Sequence, residues 1–216
     1  MAKVYFDPDE AFDVPYYKQE HRNSCGAACI RMLLARDGID VDEDTVRKHC
    51  ISLSTEYSGR FDCRAHLMTQ CLQTYGYHAT TVWSTSIVEL VECCMKNSIT
   101  PILLCHPSLK QLNGHYMLVT GQFGASIYVN DPDIEKGKSN RRIRKDELVE
   151  LSHYTGHPMD QLGKSNIAII VYQNAETIEK ICPKCGHIEF IPKCVADTVV
   201  EYVCEKCAWW MDAKDQ

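Results

Sequence analysis

Between positions 25 and 35 the chain reads CGAACIRMLLA, with Arg31 its one charged side chain, so the helix predicted over 25–36 is apolar nearly all round and buried on most sides. Asp37-Gly38 stops it. Further helices are predicted at 42–49, where Asp42 or Asp44 can cap, at 62–75, and at 86–95, where Ser84 or Thr85 precedes SIVELVECCMK. The period then changes. TPILLC (100–105), HYMLVTG (115–121), SIYVND (126–131) and NIAIIVY (166–172) are short apolar or alternating runs that read as strands. Helices first and an antiparallel sheet afterwards describe an α+β domain over 1–174. QNAETIEK (173–180) reads as a polar linker, and a small second module follows over 175–216.

With 216 residues, 45% of them hydrophobic, the chain can bury one substantial core and carry a small appendage. The first thirty residues hold Asp7, Asp9, Glu10 and Asp13 and no apolar run of signal-peptide length, and nowhere are eighteen apolar residues consecutive. A soluble, cytoplasmic protein is expected. Thirteen cysteines, an odd count without a signal peptide, read as reduced thiols and metal ligands. The net charge of -6 gives no electrostatic attraction to nucleic acid.

Cys25 stands where its helix begins. Unpaired N–H groups and the aligned peptide dipoles favour a thiolate there, with Asn23 or Ser24 as cap and Gly26 allowing close approach to the backbone. Gln19, six residues earlier, can donate its amide to an oxyanion beside the Cys25 N–H. A thiolate nucleophile needs a proton acceptor and an orienter for it. His115 opens the strand HYMLVTG, and GQFG (121–124) turns the chain back into ASIYVNDP. Pairing Thr120 with Ala125 sets His115 opposite Asn130, and a shift of one residue sets it opposite Asp131.

QEHRNSCGAACIRMLL, GHYMLVTG and YVNDP, in that order, resemble the papain-like cysteine peptidases, most closely the branch of double-glycine leader peptidases that mature bacteriocins. The resemblance spans residues 14–172 and implies a papain-like fold with Cys25 as nucleophile, His115 as general base and acid, Asp131 as orienter and Gln19 as oxyanion donor. Known members of that branch are fused to membrane transporters, and this chain has no transmembrane segment by its hydropathy. The remaining thiols Cys29, Cys50, Cys63, Cys71, Cys93, Cys94 and Cys105 read as small buried hydrophobes. His106, His153 and His157 read as surface-loop residues.

Cys182, Cys185, Cys204 and Cys207 form C-x2-C-x18-C-x2-C, the spacing of a structural zinc ribbon whose two strands would be HIEFI and TVVEYV. Cys194 and His187 are the substitute ligands. So small a module depends on its one zinc ion to fold. Its eight acids against five lysines argue against nucleic acid, and Trp209 and Trp210 pack onto the first domain or meet a protein partner. KGKSNRRIRK (136–145) is either a solvated loop or an anion-binding lip beside the cleft. The expected activity is hydrolysis of a peptide or protein through a Cys25 thioester. An acyltransferase or transglutaminase-like enzyme would use the same triad, and a protein-binding module would keep the fold without the chemistry.

Overall fold

A computed structural model describes residues 14–53, 61–110, 114–153 and 165–214. In chain order the elements are α1 (Cys25–Arg36), α2 (Glu43–Cys50), β1 (Ile51–Leu53), β2 (Phe61–Cys63), α3 (Ala65–Thr74), β3 (His78–Ser84), α4 (Ile87–Lys96) and β4 (Thr100–Cys105). Then follow β5 (His115–Phe123), β6 (Ser126–Asp131), β7 (Lys138–Arg144), α5 (Lys145–Ser152), β8 (Ile167–Tyr172), β9 (Thr177–Ile181), β10 (Ile188–Pro192), β11 (Val199–Val203) and β12 (Trp210–Asp212).

Eight of the strands form one antiparallel sheet in the order β12-β11-β3-β8-β4-β5-β6-β7. Its central strands are apolar on both faces, because both faces are covered. From β4, β5 and β8, Ile102, Leu104, Tyr116, Leu118, Ile167, Ile169 and Val171 pack with α1, α2 and α3. The alternate residues Leu103, Cys105, Met117, Val119, Ala168 and Ile170 pack with α4, α5 and the C-terminal segment. The period of two along each strand is what sends neighbours into opposite layers. This is an α+β architecture, as expected.

Helix α1 spans the predicted residues and buries nine of its twelve side chains. Asp42 caps α2 through Thr45 N–H at 2.7 Å, as its position suggests. Ser86, not Ser84 or Thr85, caps α4; the Ser84 hydroxyl instead binds the Thr198 carbonyl at 2.7 Å. The 62–75 segment opens as strand β2 before α3 begins at Ala65.

Three departures concern the sheet. HATTVWS forms β3, wedged between β8 and β11. Most of the basic run 136–145 is the edge strand β7, not a loop. Half of the polar stretch 173–180 is strand, since β9 pairs with β10. HIEFI and TVVEYV are both extended, but they do not pair with each other: β10 joins β9, while β11 joins β3 and β12. His106 is buried and His153 exposed, and His157 lies outside the described residues. Among the described residues no helix is long and apolar enough to cross a membrane.

Candidate active site

Cys25 is the first residue of α1, and the chain in front of it is shaped by a buried acid. Glu43, fully buried at the start of α2, accepts the Glu20 N–H on both carboxylate oxygens at 2.9 Å, and the Ser24 hydroxyl lies 2.5 Å from its Oε1. Ser24 therefore occupies the N-cap position without using its side chain to cap α1. Cys63, at the end of β2, stands beside the helix start, its thiol donating to the Asn23 carbonyl at 3.5 Å. Burial, then the charge on Cys25, pushes the Cys63 thiol up. Cys63 and Cys93, expected to be buried, are only half-buried, unlike Cys29, Cys50, Cys71, Cys94 and Cys105, which are buried as expected.

His115 enters from the first position of β5. Tyr116 N–H points at the Cys25 sulfur over 3.4 Å, and His115 Nε2 lies 2.7 Å from Asp131 Oδ1, with Cys25 near enough to act on the ring as well. With Nε2 committed to Asp131, Nδ1 is the ring nitrogen left for the thiol. The three side chains are buried, Cys25 at 8% exposure, His115 at 5% and Asp131 at 3%. The hairpin register is neither of the two expected. Phe123 pairs with Ser126, a bulge follows Val119, and Leu118 stands opposite Asn130. His115 and Asp131 are therefore diagonal neighbours on one face, still within side-chain reach. Asn130 points elsewhere, its Oδ1 accepting the Asn140 N–H at 3.0 Å.

Asp131 is the most heavily bonded member. Oδ1 also accepts the Asp133 N–H at 3.1 Å, Oδ2 accepts Arg141 Nη1 at 2.8 Å, and the Asp131 carbonyl accepts the Tyr16 hydroxyl at 2.9 Å. Burial alone would raise its carboxyl, but the hydrogen bond and charge of His115 outweigh it and hold Asp131 at about 2. Burial likewise opposes a charged His115, yet the bonds to Asp131 and Cys25 and their charges lift it to about 10. The two partners thus favour the protonated imidazole against the cost of burying it. Tyr16 is pushed up to about 12 by burial and then by Asp131 and Asp133.

Gln19 belongs to the same corner through its backbone, whose N–H donates to the Pro132 carbonyl at 2.8 Å. Its Nε2 donates to the His21 carbonyl at 3.0 Å, which occupies one of two amide hydrogens, and its Oε1 is buried without a hydrogen-bond partner. Glu43, Tyr16 and Cys63 complete the surroundings and had no signature in the sequence, each a single residue of an ordinary type whose partner lies well away along the chain. Arg141 also belongs here; it lies in the basic run 136–145, ten positions from Asp131.

A second cluster stands apart from this one. The sulfurs of Cys182, Cys185, Cys204 and Cys207 lie within 4.8 Å of one another, with Cys182–Cys207 and Cys185–Cys204 each at 3.6 Å. Four sulfurs at about 2.3 Å from a tetrahedral metal stand about 3.8 Å apart, so this group could hold a metal ion. Cys194 is not part of it; Cys93 Sγ lies 2.8 Å from the Cys194 carbonyl. His187 is also outside, bonded to Glu205 at 2.8 Å, and Glu205 in turn accepts Gln73 and, through its carbonyl, Gln70 of α3. Trp210 packs against the α1–α3 core, whereas Trp209 is 48% exposed under Lys184.

The sequence profile described as the Peptidase_C39 like family matches residues 11–156. The chain belongs to that family. It is a papain-like cysteine peptidase, and the family match ends before the four-cysteine cluster begins. Among solved structures, a C39-like chain from Bacillus anthracis aligns over 76% of this chain and 96% of its own, with 14% identity and a TM-score of 0.57. A double-glycine-motif protease from an AMS/PCAT transporter, in complex with the leader peptide, aligns over 74% and 92% with 22% identity and a TM-score of 0.50. The peptidase domain of Streptococcus ComA, a bifunctional ABC transporter, aligns over 73% and 97% with 14% identity and a TM-score of 0.50. At these identities the likeness is one of fold. No curated protein matches the C39-like chain significantly.

Proposed function

We propose that this C39-like chain hydrolyses a peptide bond through a thioester on Cys25, with His115 as proton carrier, Asp131 as its orienter and Gln19 as an oxyanion donor. The observation that carries the reading is His115 Nε2 at 2.7 Å from Asp131 Oδ1, with the Cys25 sulfur, at the first turn of α1, 3.4 Å from the backbone N of the next residue, Tyr116. The Cys25 sulfur attacks the scissile carbonyl and forms an S–C bond, while the oxyanion is met by the Cys25 N–H and the free hydrogen of Gln19 Nε2. As the C–N bond breaks, His115 gives its proton to the departing amine. Water then attacks the thioester, His115 takes its proton, and the S–C bond breaks to release the acid. A peptide substrate is supported by the likeness to a protease crystallised with a leader peptide.

We read residues 175–216 as an accessory segment held by one structural zinc ion on Cys182, Cys185, Cys204 and Cys207. Four thiolates suit zinc and leave no open position for chemistry. A chain rich in free thiols belongs in a reducing compartment such as the cytoplasm. Labelling with iodoacetamide tests the catalytic reading. Cys25 should react first and most completely, and Cys25→Ala should abolish cleavage of a proteome-derived peptide mixture. Even, slow labelling of many thiols with no cleavage would leave only a binding role. Products that appear as amides when an amine is added would show acyl transfer in place of hydrolysis.

A further inference from the structure

Lys136 and Lys138 flank a glycine that no other residue could replace. A Cβ on Gly137 would stand 2.2 Å from the Asp133 carbonyl and 2.5 Å from that of Asp131. The Gly137 N–H donates to the Asp133 carbonyl at 2.9 Å, and Lys138 is the strand partner of Asp131. The turn is thus packed, backbone on backbone, against the residue that orients His115, which fixes the backbone from which its two exposed lysines project. Between them and Ser108 lies a cavity of about 320 Å³, also lined by Asp131, Asp133 and Arg141. That volume is at the small end for a ligand site, large enough for one side chain or a small ion.

The charges in this cavity are not balanced. Asp131 is matched by His115 on one oxygen and by Arg141 on the other, and Arg141 Nη1 also donates to the Pro107 carbonyl at 2.9 Å. Arg141 Nη2 lies 3.8 Å from Glu147. Asp133 spends Oδ1 on the N–H groups of Glu135 and Lys136, at 2.9 and 2.7 Å. Lys136 and Lys138 have no ion-pair partner among the described residues. We propose that this cavity is an anion site beside the catalytic pair, receiving a carboxylate of the bound peptide or a free phosphate between Lys136, Lys138 and Arg141. Charges on β7 also keep an edge strand from pairing with another chain, but that role requires neither a cavity nor a lysine ahead of the strand.

Calorimetric titration of the full chain with inorganic phosphate at low salt tests the site without reference to catalysis. Saturable binding is expected, weakened at least tenfold in Lys136→Met/Lys138→Met and recovered in Lys136→Arg/Lys138→Arg. The second arm rests on the peptidase reading: cleavage products of a proteome-derived peptide mixture are compared by mass spectrometry between the same three proteins. Enrichment of Asp or Glu at one position, lost in the Met variant and kept in the Arg variant, identifies the substrate carboxylate as the occupant even if phosphate binds poorly. Phosphate binding without such enrichment identifies the free anion. Absence of saturable phosphate binding together with absence of acidic enrichment, or phosphate binding that survives the Met substitutions, overturns the proposal. Iodoacetamide labelling of Cys25 separates that outcome from a failure of the catalytic reading.

Discussion

The C39-like chain holds sulfur at two places by different means. Around Cys25 the contacts join residues remote in sequence: Tyr116 N–H to Cys25 spans 91 positions, and the Tyr16 hydroxyl to the Asp131 carbonyl spans 115. Around Cys182, Cys185, Cys204 and Cys207 the unit is local, two knuckles closed by Gly186 N–H to the Cys182 carbonyl and Ala208 N–H to the Cys204 carbonyl, each at 2.8 Å. The first arrangement exists only when α1, β5 and β6 are packed on a common core. The second brings four sulfurs close enough to hold a metal ion, and on the proposed zinc reading that ion would supply the stability so small a unit lacks. One site is made by the fold, and on that reading the other would help make it.

The largest effect should come from the reacting atom. Cys25→Ala is expected to lower cleavage by about 10⁴-fold or more while leaving the melting temperature close to that of the parent, since a buried thiol is exchanged for a slightly smaller apolar group. Rates with a peptide mixture and a thermal melt check both halves. Next comes the cluster. Chelation, or Cys204→Ser, should strip hydrogen-exchange protection from β9 to β12 and loosen β3, the partner of β11, yet leave β5 and β6 protected and Cys25 reactive. Simultaneous loss of Cys25 labelling would show that the two sites are not independent and that the C-terminal strands brace the catalytic face.

Asp131→Asn should have an intermediate effect, of about 10²-fold on cleavage, by depriving His115 of the partner that orients it. Its pH signature is more specific. His115 is held at about 10, above its ordinary 6.5, so its stabilising contribution is full below about 6.5 and is lost as pH rises through about 10. Asp131 is held at about 2, below its ordinary 3.8, so its contribution is present above about 3.8 and lost as pH falls through about 2. The wild type should melt highest between those flanks. In Asp131→Asn the acid flank due to this residue disappears, and the His115 proton is released at lower pH, readable from imidazole chemical shifts. An unchanged His115 titration would mean that Cys25, not Asp131, holds its proton.

The same contrast explains what was legible in the sequence. Cys25, His115 and Asp131 each sit at an element boundary marked by its own neighbours, the apolar run after Cys25, Gly114 before His115 and Pro132 after Asp131, and the paired cysteines carry their spacing with them. α1 was readable for the same reason, and so were β4, β6 and β8. β3 was not, because HATTVWS places two threonines in a strand covered on both faces and shows no alternation. β7 and β9 were hidden by charge, since an edge strand and a surface ribbon need little apolar content. The bulge at Thr120 shifted a register that counting from the turn could not anticipate. Glu43 acts on Glu20 and Ser24, 23 and 19 positions away, and no local pattern announces such partners.

The smallest expected effect probes how closely the packed core meets the reacting helix. A Cβ on Gly26 would stand 2.6 Å from Met68 Sδ, 2.9 Å from Met68 Cε and 3.0 Å from Cys63 Cβ. The Met68 terminus can swing aside at modest cost, whereas the Cys63 Cβ is fixed to the β2 backbone and must move with it. Gly26→Ala should therefore destabilise by about 1–3 kcal/mol and slow cleavage less than tenfold, by pushing Cys63 away from the start of α1 and off the Asn23 carbonyl. Metal content should not change. Adding Met68→Ala removes the first two contacts and should recover part of the stability, so the two substitutions together cost less than their sum. Strict additivity in thermal melts would mean that Met68 already yields freely and that Cys63 alone sets the limit, which makes Cys63→Ser the next variant to combine with Gly26→Ala.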